Sequence, residues 1–427
     1  MNPGRLVIVD GIRTPFCRMG TDLAALSADD LGRVAVSALL TRTGLDPAVV
    51  DEVIFGCVAQ PAEAANIARI IALRAGIPQH VPAVTVHRNC ASGLESLTQA
   101  YERMAAGRGE IFIVGGAESM SNIPLLYTPS AERKFAKLNR AKTLGQRLGA
   151  MAAFRPADFK PRIGLMLGLT DAFCELNMGQ TAELLAREFG VSREEQDAFA
   201  LESHHRAGRA REKLAEEICP VFIPGKPAIT VDNGPRADQT VEQLARLKPV
   251  FDRAHGTVTA GNASQVTDGA VALLVMSEAA AQRFGRKPLG VLTGYAYAGC
   301  DPSRMGLGPL FALAKTEAKH GFKLAEADLI ELNEAFAAQS LAVLKGAESA
   351  EFARTALRRE SPLGHVPREK LNVNGGAIAL GHPVGATGAR LVLTSLKELE
   401  RRGARRAVAT LCVGGGQGAA VWLERIT

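Results

Sequence analysis

The chain has 427 residues, of which 47% are hydrophobic and only 5% aromatic. This length exceeds what one ordinary hydrophobic core can organise, so we predict two or more α/β domains. Its apolar runs fall short of the ~20 residues that cross a bilayer, and residues 1–15 lack a signal-peptide core, so we expect a soluble cytoplasmic protein. The net charge of +6 comes entirely from residues 131–162, which hold nine Lys or Arg and two acidic residues.

Short apolar runs and helical patterns alternate along the chain, which favours mixed α/β layers. We predict strands at 6–10, 53–55, 83–86, 111–114, 271–276, 290–292, 329–332 and 407–411. We predict helices at 29–43, 93–107, 181–189, 192–213, 310–320 and 385–402. Residues 122–265 interrupt this alternation and indicate a large insertion, and a shorter polar insertion spans 346–369.

Two of the apolar runs end in the same way. EIFIVGGAESMS at 110–121 and RAVATLCVGGGQGAA at 406–420 each end their apolar part in Val-Gly-Gly, and a glycine-containing turn into a helix precedes each. The sequence therefore suggests two similar α/β halves, although chance could produce one such match.

The basic segment, residues 131–162, indicates an anionic partner or a merely solvated face. The candidate partners are a phosphorylated cofactor, a membrane surface and nucleic acid. Nucleic acid is not expected, because the segment lacks the interleaved aromatic residues of a single-strand binding surface.

The seven cysteines are scattered, odd in number and free of any C-x-x-C pair. This pattern argues against a disulfide framework and a zinc site, so we expect free thiols and no bound metal.

Cys90, in the sequence NCASG, stands where a strand is predicted to turn into a helix. A helix N-terminus lowers the pKa of a thiol and favours the nucleophilic thiolate, but a small buried residue in a tight turn would explain a lone cysteine more simply.

Three further motifs hold residues that could assist a reactive thiol. His382, in GHPVGATG, could accept the proton of a nearby thiol, although a structural or phosphate-binding glycine turn needs no histidine. Asn333, in LNEAFA, could position a water or donate to an oxyanion, and is otherwise a helix N-cap. Cys412, in LCVGGGQG, could act as acid or base beside backbone N–H groups that bind an oxyanion, or could simply end a strand.

Together these motifs resemble the four active-site motifs of thiolases, in the family's order and over nearly the whole chain. They are NCASG, NEAFA, GHP and CVGGG, at 89–93, 333–337, 381–383 and 412–416. Similar family segments are VDGIRTPF at 9–16, MGQTAE at 178–183 and GNASQVTDGA at 261–270.

The resemblance implies a fold of two βαβαβαββ halves in five α-β-α-β-α layers. The halves would be 1–121 with 266–286, and 287–427, with an inserted loop domain at 122–265. It further implies a 3-ketoacyl-CoA thiolase, which cleaves a 3-oxoacyl-CoA with CoA into acetyl-CoA and a shortened acyl-CoA.

The resemblance also assigns roles to the motif residues. Cys90 would carry the acyl group as a thioester, His382 would take its proton, and Cys412 would protonate the acetyl-CoA enolate and then deprotonate CoA. Asn333 would hold a water at the enolate, and the N–H groups of Cys90 and Gly414 would bind the tetrahedral oxyanion. The residues implied to contact CoA or the acyl substrate are Ser264, Ala335, Phe336 and Met178.

CoA and acyl-CoA would be substrates, with no permanently bound cofactor, and the basic segment would face the ADP phosphates. The resemblance implies a homodimer or a dimer of dimers.

The insertions, including AKTLGQRL, are similar to those of the thiolase subunit of the trifunctional fatty-acid oxidation complex. We therefore favour degradative thiolysis in β-oxidation over acetoacetyl-CoA synthesis. The candidate partners are a hydratase/dehydrogenase subunit and, through peripheral contact, a membrane. The apolar run at 163–173 would line an acyl tunnel, touch a membrane or simply pack.

His87 departs from the family pattern, since many thiolases have Asn there; we expect it to affect contacts beneath the nucleophile. Two other functions remain as alternatives. A decarboxylating ketoacyl synthase would need a second histidine near Asn333, which this chain lacks. A non-catalytic, lipid-binding subunit of the same fold would tolerate the loss of motifs that are intact here.

Overall fold

The computed structural model describes residues 4–426, and within that range twelve strands and sixteen α-helices alternate as the sequence predicts. The strands are β1 Leu6–Arg13, β2 Cys17–Arg18, β3 Glu52–Gly56, β4 Ala83–Val86, β5 Ile111–Glu118, β6 Leu125–Leu126, β7 Arg162–Ile163, β8 Thr267–Ser277, β9 Gly290–Gly299, β10 Leu329–Leu332, β11 Arg406–Val413 and β12 Gln417–Arg425. The helices are α1 Ala28–Thr43, α2 Ile67–Arg74, α3 Ser92–Ala105, α4 Pro129–Arg140, α5 Leu144–Ala152, α6 Gly164–Gly168, α7 Met178–Glu188, α8 Arg193–Arg209, α9 Arg211–Ala215, α10 Val241–Ala245, α11 Glu278–Arg283, α12 Gly308–His320, α13 Ala337–Glu348, α14 Ala350–Thr355, α15 Ala377–Leu380 and α16 Val384–Arg402.

Two sets of strands share one pairing pattern. In the first set, β8 lies between β1 and β5 and is antiparallel to both, while β3 and β4 follow β5 in parallel. In the second set, β12 lies between β9 and β11 and is antiparallel to both, while β10 follows β11 in parallel. A parallel bridge from Ile330 to Leu371 occupies the place that β4 has in the first set. The duplication suggested by the Val-Gly-Gly echo is thus present in the strand pairing.

Helices α3 and α16 pack against each other and against both strand sets. Gly93 and Gly388 permit their close approach, because a Cβ at Gly93 would lie 2.7 Å from the backbone nitrogen of Ala389, and one at Gly388 would lie 2.6 Å from that of Leu94. The outer face of the first set is covered by α1 and α2, and that of the second by α12 and α13. The chain therefore has five layers in the order α-β-α-β-α.

The two sets differ most in one connection. Between β11 and β12 the chain makes a three-residue turn, Gly414–Gly416, whereas residues 119–266 connect the corresponding strands β5 and β8. That long connection contains the basic segment and helices α4 to α10. This connection overlaps the range 122–265, for which the sequence predicts an inserted domain.

The single helix predicted at 192–213 is wrong in one respect, because α8 and α9 are separated at Ala210. The sequence reasoning also missed α2, α13 and β12. Among residues 4–426, no helix has both the length and the apolar character needed to cross a membrane.

Candidate active site

A cavity of about 580 Å³ is lined by residues from both strand sets and from the insertion. Asn333 lies beside it, in contact with His382. The other residues singled out from the sequence all line this cavity: Cys90, Met178, Ser264, Ala335, Phe336, His382, Cys412 and Gly414. Residues from distant parts of the chain therefore meet at one site.

Cys90 lies between β4 and α3, one residue before Ala91, the N-cap of α3. Its pKa is raised, because burial outweighs the backbone N–H groups of Gly414 and of Cys90 itself, which favour the thiolate. The helix-end argument predicts a lowered pKa, and that prediction is wrong in direction. The sulfur rests as a neutral thiol and needs a base to become a nucleophile.

His382 is held in a constrained turn between α15 and α16. The preceding Gly381 has φ +96°, and a Cβ there would lie 2.1 Å from the hydroxyl oxygen of Thr267. The ring Nδ1 lies 2.6 Å from Oγ1 of Thr387, whose hydroxyl donates to the carbonyl of Pro383 at 3.0 Å. With that hydroxyl proton given to the Pro383 carbonyl, we assign the ring hydrogen to Nδ1, which leaves Nε2 as the acceptor nitrogen.

The electrostatics of His382 favour the neutral ring. Burial, with a smaller contribution from the nearby Arg390, lowers the pKa of His382 to about 4. At neutral pH the imidazole is therefore an available proton acceptor.

Asn333 directly follows β10, and its backbone N–H donates to the carbonyl of Thr410 at 3.0 Å. Its Nδ2 lies 3.5 Å from Nε2 of His382. Its Oδ1 is buried and accepts no hydrogen bond from the described residues. Asn333 is not a helix N-cap, because α13 starts at Ala337 with Phe336 as its N-cap.

A buried network fixes the chain around Asn333. The carboxylate of Glu334 accepts hydrogen bonds from the hydroxyl of Ser203 at 2.6 Å and from Nδ2 of Asn372 at 2.7 Å. Asn372 also bonds both the N–H and the carbonyl of Leu332, each at 2.9 Å. Sequence reasoning missed this support, since its members are far apart in the chain.

Cys412 lies in β11 with 1% of its surface exposed. Burial, and then the proximity of Cys90, raises the pKa of Cys412 well above its ordinary value. Cys412 is therefore a neutral thiol that can donate a proton. The turn after β11 needs glycine, since Gly415 and Gly416 have φ of +86° and +74°.

Four other residues lie along the cavity wall. The backbone N–H of Ser264 donates to the carbonyl of Ala335 at 2.9 Å, which joins the two segments that carry them. Phe336 meets Phe251 edge to face, with ring centroids 6.0 Å apart. Met178 is the first residue of α7. This part of the wall is largely apolar.

Glu118 and His87 also line the cavity. Sequence reasoning did not single out Glu118, and it expected His87 to affect contacts beneath the nucleophile. Glu118, at the end of β5, is buried, and its carboxylate accepts the backbone N–H groups of Val58, Ala59 and Gly385. His87 is exposed at the cavity rather than lying beneath the nucleophile, and its Nδ1 faces the backbone N–H of Asn89 at 3.5 Å.

The insertion contributes its apolar run, not its basic segment, to the cavity. The lining includes residues from 164 to 173 but none from 131 to 162. Within residues 4–426, no cluster of three or more His, Cys, Asp or Glu side chains is arranged to hold a metal ion.

Comparisons with known proteins agree with this geometry. The family model "Thiolase, N-terminal domain" matches residues 6–279, and "Thiolase, C-terminal domain" matches residues 286–425. A 3-ketoacyl-CoA thiolase of Pectobacterium carotovorum is 44% identical over 98% of this chain and 96% of its own length. A 3-ketoacyl-CoA thiolase of Yersinia enterocolitica is 42% identical over 98% of this chain and 97% of its own.

Solved structures are similar over the whole chain. The Bacillus anthracis acetyl-CoA acetyltransferase has a TM-score of 0.86 and 37% identity, covering 99% of both chains. Human mitochondrial 3-ketoacyl-CoA thiolase in complex with CoA has a TM-score of 0.85 and 37% identity, covering 99% of this chain and 98% of that one.

Proposed function

This chain belongs to the thiolase family, and we propose on that premise that it is a 3-ketoacyl-CoA thiolase. It is an acyltransferase that cleaves a 3-oxoacyl-CoA with CoA into acetyl-CoA and an acyl-CoA shortened by two carbons. The observation that carries the proposal is the neutral imidazole of His382 in the cavity that also holds the neutral thiols of Cys90 and Cys412.

The first half-reaction forms the acyl-enzyme. The Cys90 thiol passes its proton to Nε2 of His382, and the sulfur attacks the 3-keto carbon. The N–H groups of Gly414 and Cys90, which already favour a negative charge on the sulfur, are suited to hold the resulting oxyanion. The bond between C2 and C3 then breaks, and its electron pair leaves as the enolate of acetyl-CoA.

The enolate must be stabilised and then protonated. His382, now protonated, and a water held by Asn333 donate to its oxygen, while the thiol of Cys412 protonates its carbon. The buried position and raised pKa of Cys412 suit a proton donor to a carbanion. Acetyl-CoA leaves with the acyl group still attached to Cys90.

The second half-reaction transfers the acyl group to CoA. The Cys412 thiolate takes the proton of the CoA thiol, and the CoA sulfur attacks the Cys90 thioester. Cys90 leaves as a thiolate and recovers its proton from His382, so both cysteines and the histidine end in their starting states. The acyl group passes from the Cys90 thioester to a CoA thioester of similar energy, so the reaction is reversible.

For the substrates, we propose that Ser264, Ala335, Phe336 and Met178 contact the pantetheine and acyl portions. CoA and acyl-CoA are consumed and released, and no permanently bound cofactor is part of the mechanism. We retain the basic segment as the partner of the ADP phosphates, although it lies outside the cavity lining.

We propose the degradative direction, as in fatty-acid β-oxidation. The apolar wall at 164–173 supports it, because acetoacetyl-CoA would leave such a surface unused. The alternative is an acetoacetyl-CoA thiolase working in condensation, and the similarity to the Bacillus acetyl-CoA acetyltransferase favours that reading. A cytoplasmic location stays an expectation from the sequence.

We propose that 1–121 with 266–286 form the first half, 122–265 the inserted loop domain and 287–427 the second half. The two strand sets and the matched ranges 6–279 and 286–425 support this division.

We also propose a homodimer, alone or paired as a dimer of dimers. In support, β4 stands at one end of the strand order, pairs only with β3 among residues 4–426, and leads directly to the nucleophile. Analytical ultracentrifugation tests this state.

The insertion also has a surface suited to an anionic membrane, and we propose peripheral contact there. The exposed side chains of Leu144, Leu148 and Met151 share one face of α5, beside the cations of the basic segment. A hydratase/dehydrogenase subunit is the other partner that we propose for this insertion.

Thiolysis is tested by incubating the protein with CoA and 3-oxoacyl-CoAs of short, medium and long chain. We expect turnover by the unchanged protein and none by Cys90→Ala. No turnover at any chain length, or full activity in Cys90→Ala, would contradict the proposal. A profile that peaks at acetoacetyl-CoA would favour the condensing alternative.

A further inference from the structure

The residue before the nucleophile has no part in the mechanism above. Asn89 has φ of +43°, in the left-handed region that most side chains avoid and Asn tolerates. Its carbonyl accepts hydrogen bonds from the backbone N–H and the hydroxyl of Ser92, at 3.0 and 2.7 Å. The start of α3 therefore fixes the backbone of Asn89, and its side chain lies at the cavity.

That side chain connects the two cysteine-bearing turns. Nδ2 of Asn89 donates to the carbonyl of Gly414 at 2.7 Å. The Gly414–Gly415 peptide group is thus held at its oxygen by a hydrogen bond from the nucleophile loop.

The Gly414–Gly416 turn needs a restraint on its backbone such as the hydrogen bond from Asn89. Three consecutive glycines make a flexible backbone, and two of them, Gly415 and Gly416, have positive φ. The N–H of Gly414, one peptide earlier, belongs to a residue that lines the cavity with Cys90, and it favours the Cys90 thiolate against the larger effect of burial on the pKa. A donor to a developing charge is effective only when it is held within ~0.5 Å of its productive position.

We propose that Asn89 is a positioning residue, which holds the Gly414 carbonyl so that the Gly414 N–H meets the oxyanion formed on Cys90. The inference rests on the proposed thiolysis. As the sulfur–carbon bond forms, the carbonyl π pair moves onto oxygen, where this N–H donates. When the carbonyl re-forms, the carbon–carbon bond breaks and its electron pair leaves in the enolate.

The test uses two variants that keep the left-handed backbone in different ways. Asn89→Gly removes the amide, and Asn89→Asp sets a carboxylate oxygen against the Gly414 carbonyl. Complete loss of an oxyanion donor costs ~10²–10³ in kcat, so we expect a loosened donor to lower kcat for thiolysis by about 10- to 100-fold. KM for CoA and the melting temperature should stay near those of the unchanged protein.

A second readout separates positioning from a merely structural effect. Alkylation of Cys90 by iodoacetamide forms no oxyanion, so its limiting rate constant at high pH should change by no more than about twofold while thiolysis falls. Arg358→Gly is the matched control, since Arg358 is exposed, has φ of +53° and does not line the cavity. We expect that variant to be fully active.

The outcomes are distinct. Equal losses of alkylation and thiolysis would mean that Asn89 only shapes the nucleophile loop, and unchanged thiolysis in Asn89→Gly would mean that it has no role. Either result overturns this inference while leaving an active enzyme. An unchanged protein without thiolysis would instead overturn the proposed function, and this inference with it.

Discussion

Two walls of one cavity are built differently. His382, Asn333 and Cys412 come from the layered core, where they are 8%, 0% and 1% exposed. The other wall comes from α6 and the residues after it, where Phe173 is 84% exposed and no residue of α6 is buried. We call the first of these the rigid wall and the second the exposed wall. The rigid wall can hold the groups that act on every 3-oxoacyl-CoA, whereas the exposed wall can select the acyl chain.

The largest effect should come from removing the base of the rigid wall. His382→Asn should lower kcat/KM for thiolysis by about 10²–10⁴, because it removes the neutral imidazole that takes the proton of Cys90 in the proposed mechanism. Steady-state kinetics with several chain lengths measure this. His365→Asn is the control, since His365 is 70% exposed and lies outside the cavity. A loss that depends on chain length would contradict the division between the two walls.

Asn333→Ala should have the next largest effect, a fall in kcat of about 10² for every chain length, because one donor to the enolate oxygen is lost. Alkylation of Cys90 by iodoacetamide involves no enolate and should be unaffected. If alkylation slowed in proportion, Asn333 would act on the thiol and not on the enolate.

The pH profile tests how the rigid wall sets its base. The pKa of His382, lowered by burial to about 4, keeps the ring neutral as pH falls through the ordinary histidine range. The rate of acyl-enzyme formation should therefore change by no more than about twofold between pH 7.5 and 5.5. A histidine with an ordinary pKa of 6.5 would lose roughly tenfold over the same interval, and that result would contradict the buried, neutral base.

The rigid wall was also the part that the sequence could predict. Each motif is a short stretch with one reactive or polar group, and three of the four also contain glycine, so Cys90, His382, Asn333 and Cys412 could be singled out as candidates from local sequence. The protonation of Cys90 could not be predicted, since it depends on burial by residues from distant segments.

Some elements were missed for the same reason. Strand β12 starts with Gln-Gly and owes its place to pairing with β9, more than a hundred residues earlier, as well as with β11. The bonds of Glu334 to Ser203 and Asn372 join segments 131 and 38 residues apart. Local patterns carry no signal for contacts of this range.

The exposed wall can be altered through Gly168, the last residue of α6. A Cβ there meets nothing within 4 Å, and the residue lines the cavity. Gly168→Leu should fill that space and lower kcat/KM for long-chain substrates by at least tenfold, while acetoacetyl-CoA changes by no more than about twofold. Gly149→Leu in α5 is the matched control, because a Cβ added there also meets nothing within 4 Å and Gly149 does not line the cavity. Equal losses for all chain lengths would remove the distinction between the walls.

The smallest effect on turnover should come from the outer surface of the insertion. Leu144, Leu148 and Met151 are 75%, 58% and 58% exposed, and their spacing puts them on one face of α5. We expect the protein to sediment with vesicles of anionic lipid at low salt and to be released as salt screens the cations of the basic segment.

The double variant Leu144→Ser, Leu148→Ser should lose this sedimentation and keep full thiolysis of soluble substrates. Leu73→Ser, at an exposed leucine on α2, serves as the control and should change neither property. If the unchanged protein fails to bind vesicles, the apolar face of α5 does not insert into lipid and a protein partner is the better candidate. The insertion would then bind a partner protein through α5 and select the acyl chain through α6. The chemistry would still be confined to the rigid wall.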